Sequence, residues 1–230
     1  MIFVALIPAR GGSKEIKNKN IKLINGKPLI YYSIKEVSKV KIIKNFFVTS
    51  DSTKILSISK KLGAKIIKRP KSISTSTTSM IDVLRHAKLF FQKNTIIYDA
   101  IILLQPTSPL RNFKHIIKAI SIFKKARNAD CLVSCVKVPH QFTPNSLMKL
   151  KKNYLTDYIK VKKKNYLRQN KQQLYARNGP AIYIVNKKFD LNINKSIYAK
   201  KTILFEMDQE SSLDIDGAAD LRFFKHKIKK

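Results

Sequence analysis

Apolar runs alternate along this chain with amphipathic stretches, at the spacings expected of strands and helices in turn. Ile2–Ile7 is a continuous apolar run. Pro28 opens a helical pattern that reaches about Ser38; proline is tolerated in a first turn because its missing N–H has no intrahelical partner there. Asn45–Thr49 reads as a second strand. Asp51 or Ser52 is placed to cap a helix running to Leu62, which Gly63 ends. Ala64–Lys68 is a third strand, and Ser76–Gln92 contains a helix after a Ser/Thr-rich approach. Asp99–Leu104 is a buried strand, Asn112 caps a helix to about Ala126, and Cys131–Val138 is the next strand. Strands that are apolar throughout are buried on both faces, as in parallel sheets. The order therefore predicts an α/β fold with a doubly wound, mostly parallel sheet.

The pattern changes at about Pro139. Residues 139–176 carry short mixed segments rich in lysine and tyrosine, without a clean helix. Loops of that length are uncommon inside a compact domain, so the segment is expected to be a β-rich excursion suited to packing on a second subunit. From Asn178 the alternation returns, with a strand in NGPAIYIV, another at Thr202–Met207 and a last helix over Gly217–Ile228. No internal repeat and no separate second domain is visible. Residues 1–230 are expected to form one domain with a dimerisation arm at 139–176.

Composition narrows the function. At 44% hydrophobic the chain can bury a proper core. No apolar stretch reaches the roughly 18–20 residues that span a bilayer. The N-terminal apolar run lacks the flanks of a signal peptide. Cys131 and Cys135 match no zinc spacing, and a reduced, cytoplasmic protein is expected. The formal charge is +33. The lysines are spread through almost every segment rather than gathered in an arm, so no specific nucleic-acid function and no membrane partner is expected. Such a field attracts anionic substrates and also binds RNA non-specifically at low salt. A non-catalytic, basic RNA-binding protein is thus the alternative from another class.

Candidate chemistry lies first in IPARGGSKEIKNKN, directly after the first strand. Gly11 and Gly12 allow backbone N–H groups to approach an anion. Arg10, Lys14, Lys17 and Lys19 can neutralise it, and Arg10 can grip two phosphate oxygens. The stretch is neither a Walker loop nor a GxGxxG fingerprint. LLQPTSPLR, Leu103–Arg111, follows the central buried strand, where open α/β sheets bind ligands. Its prolines stiffen a turn presenting Gln105, Thr107 and Ser108, with Arg111 as a brace. In SLDID, Ser212–Asp216, two carboxylates two apart on an extended chain share a face. Such a pair suits Mg²⁺ bound to phosphates, although Asp216 also sits where it can cap the last helix. Arg168 is a candidate partner for a substrate carboxylate, with Gln169 beside it. His86, His115, His140 and His226 show no ligand or triad spacing.

Taken in order, IPARGGSK…NKN, LLQPTSPLR, RNGPAIYI and SLDID resemble the acylneuraminate cytidylyltransferases over nearly the whole chain. The resemblance implies a doubly wound nucleotidyltransferase, usually a homodimer whose β-rich excursion swaps against its partner. It implies transfer of CMP from CTP to the anomeric hydroxyl of an acidic nine-carbon 2-keto sugar, with Mg²⁺ required and pyrophosphate released. N-acylneuraminate is the expected acceptor, with legionaminate and pseudaminate as alternatives. By motif, Arg10, Lys19 and Asn20 resemble triphosphate contacts in a loop that includes Gly11, Gly12, Ser13 and Lys14. Arg69 and Ser79 fall at nucleotide positions. Gln105, Thr107, Ser108, Arg168, Gln169 and Tyr183 fall at sugar positions. Asp214 and Asp216 resemble the magnesium pair, and with Arg10 and Lys19 they form the expected catalytic set. The chain departs from the usual pattern at Glu15, Lys17, Ser76 and Pro180.

Overall fold

The computed structural model describes residues 1–13, 15–159, 173–179, 181–191, 193 and 196–228. Its elements run β1 (Phe3–Pro8), β2 (Leu23–Ile24), β3 (Lys27–Pro28), α1 (Leu29–Ser38), β4 (Ile43–Ser50), α2 (Thr53–Lys61) and β5 (Lys65–Lys68). They continue with α3 (Met80–Lys93), β6 (Ala100–Leu103), α4 (Phe113–Lys125), β7 (Cys131–Lys137), β8 (Met148–Lys151) and β9 (Tyr154–Asp157). β10 (Tyr175–Arg177), β11 (Tyr183–Asn186), β12 (Thr202–Glu206) and α5 (Ala218–Lys227) complete them.

The local causes of these elements are visible in the sequence. The Ser52 hydroxyl accepts from Ile55 N at 3.4 Å and starts α2. Gly63, with φ +87°, ends it. At α4, Asn112 Oδ1 accepts from His115 N at 3.2 Å while His115 Nδ1 accepts from Asn112 N at 3.3 Å. Two N–H groups at the helix start are thus satisfied reciprocally.

β1 lies inside the sheet, parallel to β4 on one side and to β6 on the other, with β5 parallel beyond β4. Its side chains divide the core. Phe3, Ala5 and Ile7 pack with buried residues of α1, α2 and α4, whereas Val4 and Leu6 pack with Ile81, Leu84 and Phe91 of α3. Helices therefore cover both faces, which is why the strands read as unbroken apolar runs.

The sheet is mixed rather than wholly parallel. β11 lies between β6 and β7 and is antiparallel to both. β10 also pairs antiparallel with β7, so the return to the sheet begins at Tyr175, ahead of Asn178. β12 runs parallel to β7. Within the excursion, β8 and β9 form a separate two-stranded hairpin. Among the described residues no helix is long and apolar enough to cross a membrane.

From β1 the chain winds to β4 and β5, then returns across β1 to lay down β6 on its other side. The strand order reverses between β1 and β6, and a crevice opens where their carboxyl ends diverge.

Candidate active site

The carboxyl ends of four parallel strands deliver residues to one edge of the sheet. β1 leads to Arg10, β4 to Asp51, β5 to Arg69 and β6 to Gln105. The loop before α5 closes over them with Asp214 and Asp216. A cleft of about 420 Å³ results, lined among others by Arg10, Ser13, Lys19, Asn20, Arg69, Gln105, Thr107 and both aspartates.

The glycine loop is held from below. Gly11 N donates to Asp51 Oδ1 at 2.9 Å, and a Cβ on Gly11 would lie 3.1 Å from that of Ser52. A larger residue would crowd the start of α2. Asn20 is buried, and its amide donates to the Arg10 carbonyl at 3.0 Å, bracing the loop across its base. Lys19 Nζ donates to the Ile215 carbonyl at 2.7 Å and lies 3.6 Å from Asp216 Oδ1. One lysine thereby ties the phosphate-type loop to the carboxylate loop.

Arg69 is only 5% exposed, and its Nε has no hydrogen-bond partner. Burial lowers its pKa, Asp51 opposes that shift and Arg10 adds to it. Arg69 therefore feels a second guanidinium, that of Arg10, as well as the Asp51 carboxylate, and the two cations suit this part of the cleft to an anion. Beside Arg69, Ile73, Met80 and Val83 supply an apolar patch, and Ser74, Thr75, Ser76 and Thr78 form a hydroxyl-bearing wall. That wall escaped the motif reading, although the Ser/Thr-rich approach to α3 was its signal.

The turn after β6 is fixed by Arg111. Its guanidinium is buried and donates to the Gln105 carbonyl at 3.1 Å, the Ala181 carbonyl at 2.8 Å and Ser33 Oγ at 2.8 Å. The brace expected of Arg111 is present. Thr107 donates to Gln105 Oε1 at 3.3 Å, and Ile215 N donates to the Thr107 carbonyl at 2.8 Å. The Asp214 carboxyl is raised above the usual carboxylate range by burial, with Asp216 and Asp220 adding to the effect and Thr107 and Lys19 opposing it. Its Oδ1 is buried without a hydrogen-bond partner. Among the described residues no three His, Cys, Asp or Glu side chains gather to hold a metal alone. A pair of carboxylates, one with an orphaned oxygen, nevertheless fits a Mg²⁺ that takes its remaining ligands from water and phosphate.

Asp216 does not cap the last helix through its side chain. Asp220 does that work, accepting from Gly217 N at 2.8 Å and Asp216 N at 3.0 Å. Asp216 is left facing the cleft, its side chain 81% exposed.

Three expected contacts are displaced. Tyr183 is fully buried in the core, where its hydroxyl donates to the Ile197 carbonyl and lies 2.8 Å from Cys131 Sγ. It faces the α3 side of the sheet and does not reach the cleft. Ser108 is also fully buried, because the Pro106–Pro109 turn points it inward beside Arg111. The Ser79 hydroxyl is committed to the start of α3, accepting from Asp82 N at 3.2 Å and donating to Asp82 Oδ2 at 2.7 Å. Gly12 is exposed with open space around it, and Glu15 lines the mouth of the cleft. Lys14, Arg168, Gln169 and Pro180 lie outside the described residues.

A cytidylyltransferase family profile matches residues 4–227. The chain is 32% identical over 219 residues to the N-acylneuraminate cytidylyltransferase of Escherichia coli, covering 94% of this chain and half the length of that relative. It is 31% identical over 224 residues to the CMP-N,N'-diacetyllegionaminic acid synthase of Legionella pneumophila, covering 96% of this chain and 93% of that one. The solved CMP:2-keto-3-deoxy-manno-octonic acid synthetase complexed with CTP superposes with a TM-score of 0.73 at 17% identity, over 99% of this chain and 98% of that one. At that identity the likeness establishes the shared fold. A profile spanning nearly all of the chain, over a site assembled from the strand ends of this fold, establishes that the chain belongs to the cytidylyltransferase family.

Proposed function

We propose that this chain transfers CMP from CTP to the anomeric hydroxyl of a nonulosonic acid, releasing pyrophosphate. The observation that carries the reading is the convergence of Arg10, Lys19 and Arg69 with Asp214 and Asp216 on one cleft. Arg10 and Lys19 bind the triphosphate and offset the charge that develops on the leaving pyrophosphate. Arg69, with the apolar patch of Met80 and Val83, receives the nucleoside. Gln105 and Thr107 orient the sugar, held in place by the buried Arg111. Asp214 and Asp216 would hold Mg²⁺, which when bound supplies positive charge at the α-phosphate. Lys19, 3.6 Å from Asp216, keeps that carboxylate turned toward the cleft. The acceptor is N-acylneuraminate, legionaminate or pseudaminate; the first two are supported by the names of the E. coli and Legionella relatives.

A homodimer formed through the 139–176 excursion completes the reading. The β8–β9 hairpin exposes Leu150 and Leu155, which face each other across the strands at 72% and 63% exposure. Apolar pairs so open to water favour a partner surface.

Pyrophosphate release by the purified chain with Mg²⁺ and CTP, with each of the three acids and with none, is the test. Acid-dependent release supports the transfer and names the acceptor. No release with any acid, alongside RNA binding that falls steeply with salt, would favour the non-catalytic reading that the +33 charge invites.

A further inference from the structure

Gly179 occupies a position where no side chain fits. Its φ is +82°, and an added Cβ would lie 2.2 Å from Asp214 Oδ2, 2.7 Å from its Cγ and 3.4 Å from its Cβ. All three close atoms belong to the Asp214 side chain. The clash would therefore be relieved by turning that carboxylate away, not by moving the sheet.

Asp214 has little other freedom. Two residues before it, Ser212 Oγ accepts from Asn178 Nδ2 at 2.8 Å. One residue after it, Ile215 N donates to the Thr107 carbonyl at 2.8 Å. Asn178 is itself fixed, since its Oδ1 accepts from Ser134 Oγ at 2.8 Å and from Ala181 N at 3.3 Å. The backbone on both sides of Asp214 is thus pinned to the sheet and to the turn after β6. Side-chain rotation remains, and the Gly179 backbone blocks one direction of it. The other carboxylate oxygen, Oδ1, is buried and has no hydrogen-bond partner; the Thr107 side chain is a hydrogen-bond donor to the carboxylate.

We propose that Asn178 and Gly179 are positioning residues for the Asp214 carboxylate. Asn178 sets the separation of the two loops. Gly179, by lacking a side chain, leaves the volume that Oδ2 occupies and so aims the carboxylate at the cation. The proposal rests on the reading of Asp214 as a cation ligand.

The test uses the full chain and its Gly179→Ala, Ser212→Ala and Asp214→Asn variants. Mn²⁺ binding in the presence of CTP is followed by electron paramagnetic resonance, and kcat and KM for CTP are measured beside it. Outer-shell partners of metal ligands typically tune affinity by about 10–100-fold. Gly179→Ala should raise the half-saturating Mn²⁺ concentration about tenfold or more and lower kcat, with KM for CTP changing less than about twofold. Ser212→Ala, which cuts the Asn178 tether while leaving Gly179 intact, should move both quantities the same way by a smaller factor. Wild-type Mn²⁺ affinity in folded Gly179→Ala would overturn the proposal. If that variant does not fold, unchanged affinity in Ser212→Ala decides against it. Asp214→Asn separates the two levels. Undiminished Mn²⁺ binding there would overturn the cation reading and the positioning with it. Loss in Asp214→Asn alone would overturn only the positioning.

Discussion

In the role proposed for it, Asp214 trades stability for chemistry. Its carboxyl is raised by burial and by Asp216 and Asp220, so the ionised form is disfavoured in the folded chain without metal. Asp214→Asn should therefore raise the melting midpoint of the metal-free protein, by about 2–4 °C for each kcal/mol of relief in a chain of this size. Turnover should fall about a hundredfold or more. Thermal unfolding without metal, beside the pyrophosphate assay, checks both; a lowered midpoint would contradict the first. Arg111 poses the opposite case. Burial pushes its guanidinium down to about 9, against an attractive contribution from Glu36. The folded state then binds fewer protons than the unfolded one above that pH. Relative to Arg111→Met, the wild type should gain stability as pH rises through about 9. At neutral pH, Arg111→Met should still cost about 3 kcal/mol, because it strands the Gln105 and Ala181 carbonyls. Denaturant unfolding at pH 7 and pH 10 reads out both. Much of the cleft was legible in the motifs, since Arg10, Lys19, Gln105, Thr107 and the two aspartates do line it. Tyr183 was not, because its strand is buried on both faces and the alternation alone does not say which face meets the cleft. Ser108 was hidden in the direction of a proline-flanked turn.

Elements with a local cause are the ones the sequence announces. Ser52, Gly63 and Asn112 each mark an end of a helix by a specific hydrogen bond or backbone conformation. Asn112→Ala should cost about 1 kcal/mol through the lost cap. Because no α4 residue lines the cleft among the described residues, KM for CTP should stay unchanged; equilibrium unfolding and steady-state kinetics test the pair of outcomes. The β2–β3 hairpin was announced too, by Asn25–Gly26, whose φ values of 49° and 73° are those of a tight turn between paired strands. It passed unread amid the lysines. The direction of β11 had no such marker. An apolar run in a sheet covered on both faces looks the same whether it runs parallel or antiparallel, so the mixed character of the sheet emerges only from the pairing of Tyr183 with Leu103 and Val133.

The molecule as a whole carries two features that its cleft does not need. One is the exposed hairpin. Leu150→Ser with Leu155→Ser should convert the proposed dimer into a monomer by analytical ultracentrifugation, with the melting behaviour of the monomeric core retained; an unchanged sedimentation coefficient would count against the 139–176 interface. The other is the place of β11 in the sheet. β6 and β7 are separated in space by a strand that comes later in the chain than either. On the ribosome, at about 5–20 residues per second, β6 and β7 emerge seconds before the strand that joins them. During that interval each presents an unpaired apolar edge able to capture a neighbouring nascent chain. The sheet is closed late by a long-range insertion, which makes the newborn polypeptide a natural client for chaperones and its yield sensitive to the speed of translation between β7 and β11.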